Sequence, residues 1–373
     1  MTDLDPYLES FDIEPGYLDW AAFGPLSGAV RSEASADAEL FGTGRRSSID
    51  LVSNRSGEAR ALLAELLDAA DDEVVLQPST SYGLMHALYG LSGQVLISRA
   101  EFPSLTVTAT RAAALRGDLA VQWFEPAGGF VTVDAVAEAV TEQTTAVAVS
   151  LVDFRTGYLA DLAGLRDVIG DRLLIVDAIQ GFGAVDADFA AADVVCGNGY
   201  KWLRAGRGTG WARFGDRARA RIEPVLSGFD GVAGGLPMDE VPPPAPTADA
   251  YQVTHPDQLA AARLATALGE VRSAGVAAIA AAVADRADQI LFLAERYGVP
   301  VATPADRDRR AGIVALAPEP AHAAALAAAL ANRGVVFTAR AGLVRLAAHA
   351  GTGEDTMVLL GDALAEFAAG GTW

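Results

Sequence analysis

Short, almost wholly apolar runs alternate along the first 214 positions with longer segments whose apolar residues recur at helical spacing. EVVLQ (73–77), QVLIS (94–98), LAVQWF (119–124), TTAVAVSLV (144–152), LLIV (173–176) and DVVCG (193–197) are such runs. Their lack of polar alternation is the pattern of strands buried on both faces of a parallel sheet. Between them PSTSYGLMHALYGL (78–91), a segment ending at Arg116, and VDAVAEAV (133–140) take a helical period. Upstream, Leu62, Leu63, Leu66 and Leu67 share one face of a helix through GEARALLAELLDAA, with Ser56 as its expected N-cap and Glu58 in its first turn. Strand, helix, strand, repeated at this spacing, predicts an α/β fold with a doubly wound, mostly parallel sheet, closed by GTGWARF (208–214) as its last strand.

The pattern changes after that sheet. Residues 228–250 form a Gly/Pro-rich loop of a length that often serves as a lid or interface element. Beyond His255-Pro256 comes an Ala/Leu-rich helical region to Tyr297, then VPVAT, AGIVALAP, a helix over 320–332, VVFTAR, LVRLAAH and a helix over 353–368. These predict a second, smaller C-terminal α/β unit. The expected organisation is an N-terminal segment 1–15, a large domain 16–255 and a small domain 256–373.

Composition narrows the function classes. With 373 residues and 51% hydrophobic content the chain can bury a sizeable core. A formal charge of −20 with no basic run argues against nucleic acid or an anionic membrane as a partner, so any bound anion must be gripped locally. The lone Cys196 excludes an intramolecular disulfide, and the opening MTDLDPYLESFD has no signal-peptide apolar core. The Ala-rich stretch 274–285 is too short to span a bilayer, and a cytoplasmic location is expected. His86, His255, His322 and His349 show no paired-ligand spacing, so no metal site is expected.

Asp177 falls at the C-terminal end of the LLIV strand and Lys201 just beyond DVVCG, where α/β sheets keep their chemistry. Taken alone, the pair fits a turn-capping aspartate and a solvated lysine. It fits equally an aldehyde cofactor with a ring nitrogen, which needs an amine and a carboxylate. Ser79, Thr80 and Ser81 mark a strand-to-helix junction and read either as ordinary caps or as an anion site with the helix N–H groups.

In this order the motifs resemble the class V aminotransferase family of fold-type I pyridoxal phosphate (PLP) enzymes, a group that also holds kynureninases, cysteine desulfurases and isopenicillin N epimerase-like proteins. The resemblance runs from YLDWAAFGPL (17–26) to the Arg345 segment and is most specific in IVDAIQ (175–180) and DVVCGNGYKWL (193–203). It implies PLP as cofactor, a small amino-acid substrate and a homodimer with shared active sites. It makes Lys201 the Schiff-base lysine, Asp177 the partner of the pyridinium nitrogen and Gln180 a hydrogen-bond partner of the cofactor's phenolic oxygen. Thr80 and Ser81 match the phosphate-loop hydroxyls, and Phe102, in Glu-Phe-Pro-Ser, matches the ring stacked on the pyridine. Arg345 matches the arginine that binds the substrate α-carboxylate, while His349 fits the pattern in a structural role. In DFRTGYLAD (153–161), which resembles the kynureninase and epimerase-like version of a Thr-Gly motif, Phe154 replaces an Asn or Tyr of many members. In YQVTHP (251–256) His255 stands in for a threonine that reaches the phosphate of the other subunit.

The resemblance leaves the reaction open. Amine transfer on a small amino acid is the leading expectation, followed by a β-eliminating or hydrolysing lyase of the C–S lyase or kynureninase kind. Epimerisation and a non-catalytic binding protein are further alternatives. A persulfide-forming desulfurase is disfavoured, because Cys196 lies in an apolar strand of the large unit.

Overall fold

The computed structural model describes residues 4–234 and 239–370. Its large sheet is built from β1 (Val74–Gln77), β2 (Gly93–Ser98), β3 (Leu119–Phe124), β4 (Thr144–Ser150), β5 (Leu173–Asp177), β6 (Val194–Asn198) and β7 (Gly210–Phe214), in the spatial order β1-β7-β6-β5-β4-β2-β3. All neighbours are parallel except those of β7, which is antiparallel to both β1 and β6. The last strand of the sheet in sequence is thus an interior one in space. No helix separates it from β6, so the chain turns back through 199–209 and re-enters antiparallel.

The unbroken apolar character of the strands has a direct cause. Val95, Ile97, Ala146, Ala148, Leu173, Ile175 and Val194 enter one apolar cluster, while Leu96, Val147, Val149, Leu174, Val176 and Val195 enter the cluster on the opposite face. Alternate residues therefore point into two separate cores, and both need apolar side chains.

Ser56 does not cap the helix Arg55–Leu66. The preceding helix, Arg46–Ser53, runs into it through Asn54, which keeps helical dihedrals, so no helix start falls at Ser56 and its Oγ is buried without a partner. The helical region after Pro256 divides at Gly275, whose φ of +82° ends the first helix, into Gln258–Ala274 and Val276–Arg296, bent by 84°. Among the described residues no single helix is long and apolar enough to cross a membrane. Residues 235–238 of the Gly/Pro-rich 228–250 stretch lie outside the described residues.

The second sheet holds β8 (Ile313–Leu316), β9 (Thr338–Arg340) and β10 (Leu343–Ala347), all antiparallel, in the order β8-β10-β9. VVFTAR forms a strand only over its last three residues, and VPVAT contributes an isolated bridge, Val301 to Leu316. The segment YLDWAAFG stitches the two sheets together. Tyr17 bridges to Val336 and Asp19 to Ala347, while the Gly24 amide donates to the Tyr200 carbonyl at 2.8 Å. A Cβ on Gly24 would sit 1.9 Å from the Lys201 carbonyl oxygen, so only glycine fits there. We propose the division 16–255 and 256–373 as the domain organisation, with Gln258–Ala274 laid across the helices Gly28–Gly42 and Arg55–Leu66.

Candidate active site

The C-terminal ends of the parallel strands supply the ionisable groups. Asp177 closes β5 and pairs in register with Ser150 and Cys196 of the neighbouring strands. Its side chain is buried and its Oδ1 accepts the Ile179 amide at 3.0 Å. Burial pushes the carboxyl up to about 6, against the opposing pull of that amide and of Lys201. Lys201 follows β6 and is buried as well; burial brings its amine down to about 8, partly offset by Asp177. Each group holds the other nearer its charged form, and the dry surroundings act against both.

Lys201 and Gln180 open onto a cavity of about 300 Å³, whose wall also includes Phe102, Phe154, Tyr200 and Arg345. Gln180 is oriented from two sides: its Nε2 donates to the Ala21 carbonyl at 3.0 Å and its Oε1 accepts Trp202 Nε1 at 3.3 Å. Trp202 is fixed in turn by His349, whose Nε2 donates to the Trp202 carbonyl at 2.8 Å while its Nδ1 accepts the Ala350 amide. Burial keeps that imidazole neutral, down to about 3, and its role here is structural.

Phe102 precedes the helix Pro103–Leu115 and meets Phe154 edge-to-face, with ring centroids 5.1 Å apart. The neighbouring Glu101 is fully desolvated and pushed up to about 7, yet it accepts Ser150 Oγ at 2.5 Å and the Ser150 amide at 3.1 Å, tying the ends of β2 and β4 together. Phe154 sits in a turn made by Asp153, whose Oδ1 accepts the amides of Arg155 and Thr156. Its side chain faces the cavity, and its carbonyl accepts Arg345 Nη1 at 3.0 Å. Arg345 enters from the small sheet, with Nη2 3.6 Å from Asp19 Oδ1. Asp19 also accepts Thr338 Oγ1 at 2.8 Å. Sequence reasoning missed Asp19, Thr338, Tyr200 and Arg340; only the acid inside the apolar YLDW segment was a visible signal.

Thr80 and Ser81 open the helix Thr80–Tyr89 directly after β1. They do not line the cavity, but they lie on the same edge of the sheet: β7 starts there, and a Cβ on Gly210 would meet the Ser79 amide nitrogen at 2.4 Å. None of the three hydroxyls is used as a helix cap. Ser79 makes no capping bond, Ser81 Oγ meets Ser104 Oγ at 2.9 Å, and Thr80 Oγ1 is buried without a partner. His255 is elsewhere, with a largely exposed ring 2.8 Å from Asp230, on a separate cavity of about 350 Å³ shared with Tyr82 and Gly208. Cys196 is wholly buried, its Sγ 2.8 Å from where a Cβ on Gly83 would be, and burial raises its thiol.

An orphaned threonine hydroxyl at a helix start, a buried carboxylate with a single amide donor and a desolvated amine form a donor set that fits a phosphorylated pyridine aldehyde. The comparisons agree. The Aminotransferase class-V family model matches residues 17–344, and the chain belongs to that family. The kynureninase of Deinococcus radiodurans is 32% identical over 258 residues, 65% of this chain and 61% of that one; the chain thus spans less than two thirds of that relative's length. The kynureninase of Geobacillus thermodenitrificans is 26% identical over 314 residues, 77% and 72% of the two chains. Among solved structures, C-DES with glycine covalently linked to its PLP cofactor superposes with a TM-score of 0.85 at 19% identity, covering 98% of each chain. The apo cysteine desulfurase of Thermococcus onnurineus NA1 gives 0.80 at 19% identity, covering 93% of each. These two likenesses show the fold. Family and relatives together indicate pyridoxal phosphate as the cofactor.

Proposed function

We propose that the chain is a PLP-dependent lyase that cleaves the side chain of an amino acid hydrolytically at the β-carbon, as a kynureninase does. The observation that carries this reading is one cavity whose wall holds Lys201, Arg345 and the edge-to-face ring pair Phe102–Phe154. Such a wall suits an aromatic side chain. The kynureninase relatives support it.

In this reading Thr80, Ser81 and the amides at their helix start hold the phosphate, Gln180 donates to the ring oxygen, and Phe102 covers the ring face. When bound, the cofactor supplies an aldehyde for the substrate amine and a ring that draws electrons from the α-carbon. Asp177, ionised above about pH 6, favours a proton on the ring nitrogen. Arg345 fixes the α-carboxylate. Lys201, with its amine lowered to about 8, has a neutral fraction near neutral pH and can take the α-proton on Nζ and return it. His255, which lines a separate cavity within one chain, would serve the phosphate of a second copy in a homodimer.

The test is a panel of amino acids with purified holoenzyme. Alanine released from L-kynurenine without any 2-oxo acid is the expected result. Amine transfer that depends on a 2-oxo acid, with kynurenine left intact, would overturn the lyase reading in favour of an aminotransferase, the second reading, which rests on the matching family model.

A further inference from the structure

The hairpin β9–β10 presents two arginines to the cavity, and only one of them faces a carboxylate. Its register pairs Thr338 with Arg345 and Arg340 with Leu343. Alternate residues of a strand share a face, and Thr338, Arg340, Leu343 and Arg345 all line the cavity. Arg345 is deep and engaged with Asp19 and the Phe154 carbonyl. Arg340 lies two residues from Thr338 toward the turn, a diagonal neighbour of Arg345 at about 7–8 Å between backbones. It is exposed at the cavity mouth and makes no ion pair with a carboxylate among the described residues. The third arginine of the wall, Arg155, is already neutralised by Asp153 at 2.7 Å. Among the described residues no aspartate or glutamate lines the cavity.

In a chain of net charge −20, an arginine left without an acid on the wall of a substrate cavity is a local exception. The turn that places it is strained: Ala341 and Gly342 have φ of +51° and +81°, and alanine is disfavoured in that region. Strain of this kind persists where the surroundings enforce it, commonly at ligand sites.

We infer that Arg340 recognises a second carboxylate, at the far end of the ligand's side chain, while Arg345 takes the α-carboxylate. The inference rests on the amino-acid reading of the site given above. Two sources supply such a group. The substrate side chain carries an acid from the outset, or the acid forms in the reaction: hydrolysis of an acyl side chain breaks the Cβ–Cγ bond, puts the water hydroxyl on the acyl carbon and a proton on Cβ, and the new acid releases its proton to solvent.

Calorimetric titration of the holoenzyme and its Arg340→Gln variant with glutarate, butyrate, and benzoate in the presence of saturating L-alanine separates these cases. Glutarate is expected to bind the parent about tenfold more tightly than butyrate, and the substitution to erase that preference, to weaken benzoate by a similar factor, or both. Weakened benzoate assigns the acid to the cleavage product; a loss confined to glutarate assigns it to the substrate. If Arg340→Gln alters neither, the inference is overturned. The substituted side chain is exposed at a hairpin end, and an unchanged unfolding midpoint verifies that the fold is kept. No turnover enters this test, so a protein that holds glutarate through Arg340 yet leaves kynurenine intact loses the lyase reading and keeps this one.

Discussion

The two sides of the cavity come from different kinds of sheet. On one side Lys201, which lines it, and the buried Asp177, which does not, sit at or just beyond the ends of parallel strands buried on both faces, and burial shifts the ionisation of both. On the other, Arg345 and Arg340 ride on a three-stranded antiparallel sheet whose outer hairpin reaches solvent. The dry side suits groups that must change protonation, since low polarity brings acid and base toward neutral pH. The wetter side suits groups that keep their charge and select what enters. The proposed chemistry thus belongs to the large sheet and the proposed recognition to the small one.

The most forceful way to break this comparison is a pair of truncations. Lys201→Ala is expected to lower kcat by about 10²–10⁴-fold with little change in KM, because it removes the proton-transferring group and no carboxylate contact. Arg345→Ala is expected to raise KM about 10–100-fold with a smaller fall in kcat, from loss of a charge-assisted contact of about 1.5–3 kcal/mol. Steady-state kinetics on the preferred amino acid measures both. If Arg345→Ala lowers kcat as strongly as Lys201→Ala does, the division between the two sheets fails.

A second test asks whether the dry side is held at a cost to stability. The folded pKa of Asp177, about 6, lies above the ordinary value of 3.8. Between those limits the folded protein keeps a proton that the unfolded chain has released. This group's contribution to stability therefore falls as pH rises from about 4 to about 6, and the loss persists above. Asp177→Asn keeps an oxygen for the Ile179 amide and escapes that loss. The apoprotein of this variant is expected to be more stable than the parent by about 1–3 kcal/mol at pH 7, with the difference vanishing below pH 4. Urea unfolding at the two pH values measures it. A variant less stable at pH 7 would mean that Asp177 chiefly holds Lys201 in place.

The dry side was also the side legible in sequence. Runs such as LLIV and DVVCG are apolar because alternate residues enter two cores, and a charged residue ending such a run is conspicuous. The hairpin offered no comparable signal. VVFTAR reads as one strand, but Val336 pairs with Tyr17 and only Thr338–Arg340 joins β10. Asp19 reaches Thr338 across 319 positions, a contact that no local pattern encodes. Ser56 was misread for a related reason: a serine before an amphipathic run looks like a cap unless the helix upstream is seen to continue through it.

The smallest expected effect sharpens the comparison most finely. Ala341 occupies the left-handed region at φ +51°, beside Gly342 at +81°, in a two-residue hairpin turn where both central positions favour glycine. An L-residue there costs about 1–2 kcal/mol in the folded state. Replacing it with glycine removes that strain but gives the unfolded chain about 0.4–1 kcal/mol of extra conformational freedom. Ala341→Gly is therefore expected to raise stability by about 0.5 kcal/mol, read from the urea midpoint at constant slope. Its kcat should match the parent's, since the turn touches only the recognition side. A fall in kcat with KM unchanged would show that the strained turn acts on the chemistry, and the boundary between the two sides would have to be drawn inside the hairpin.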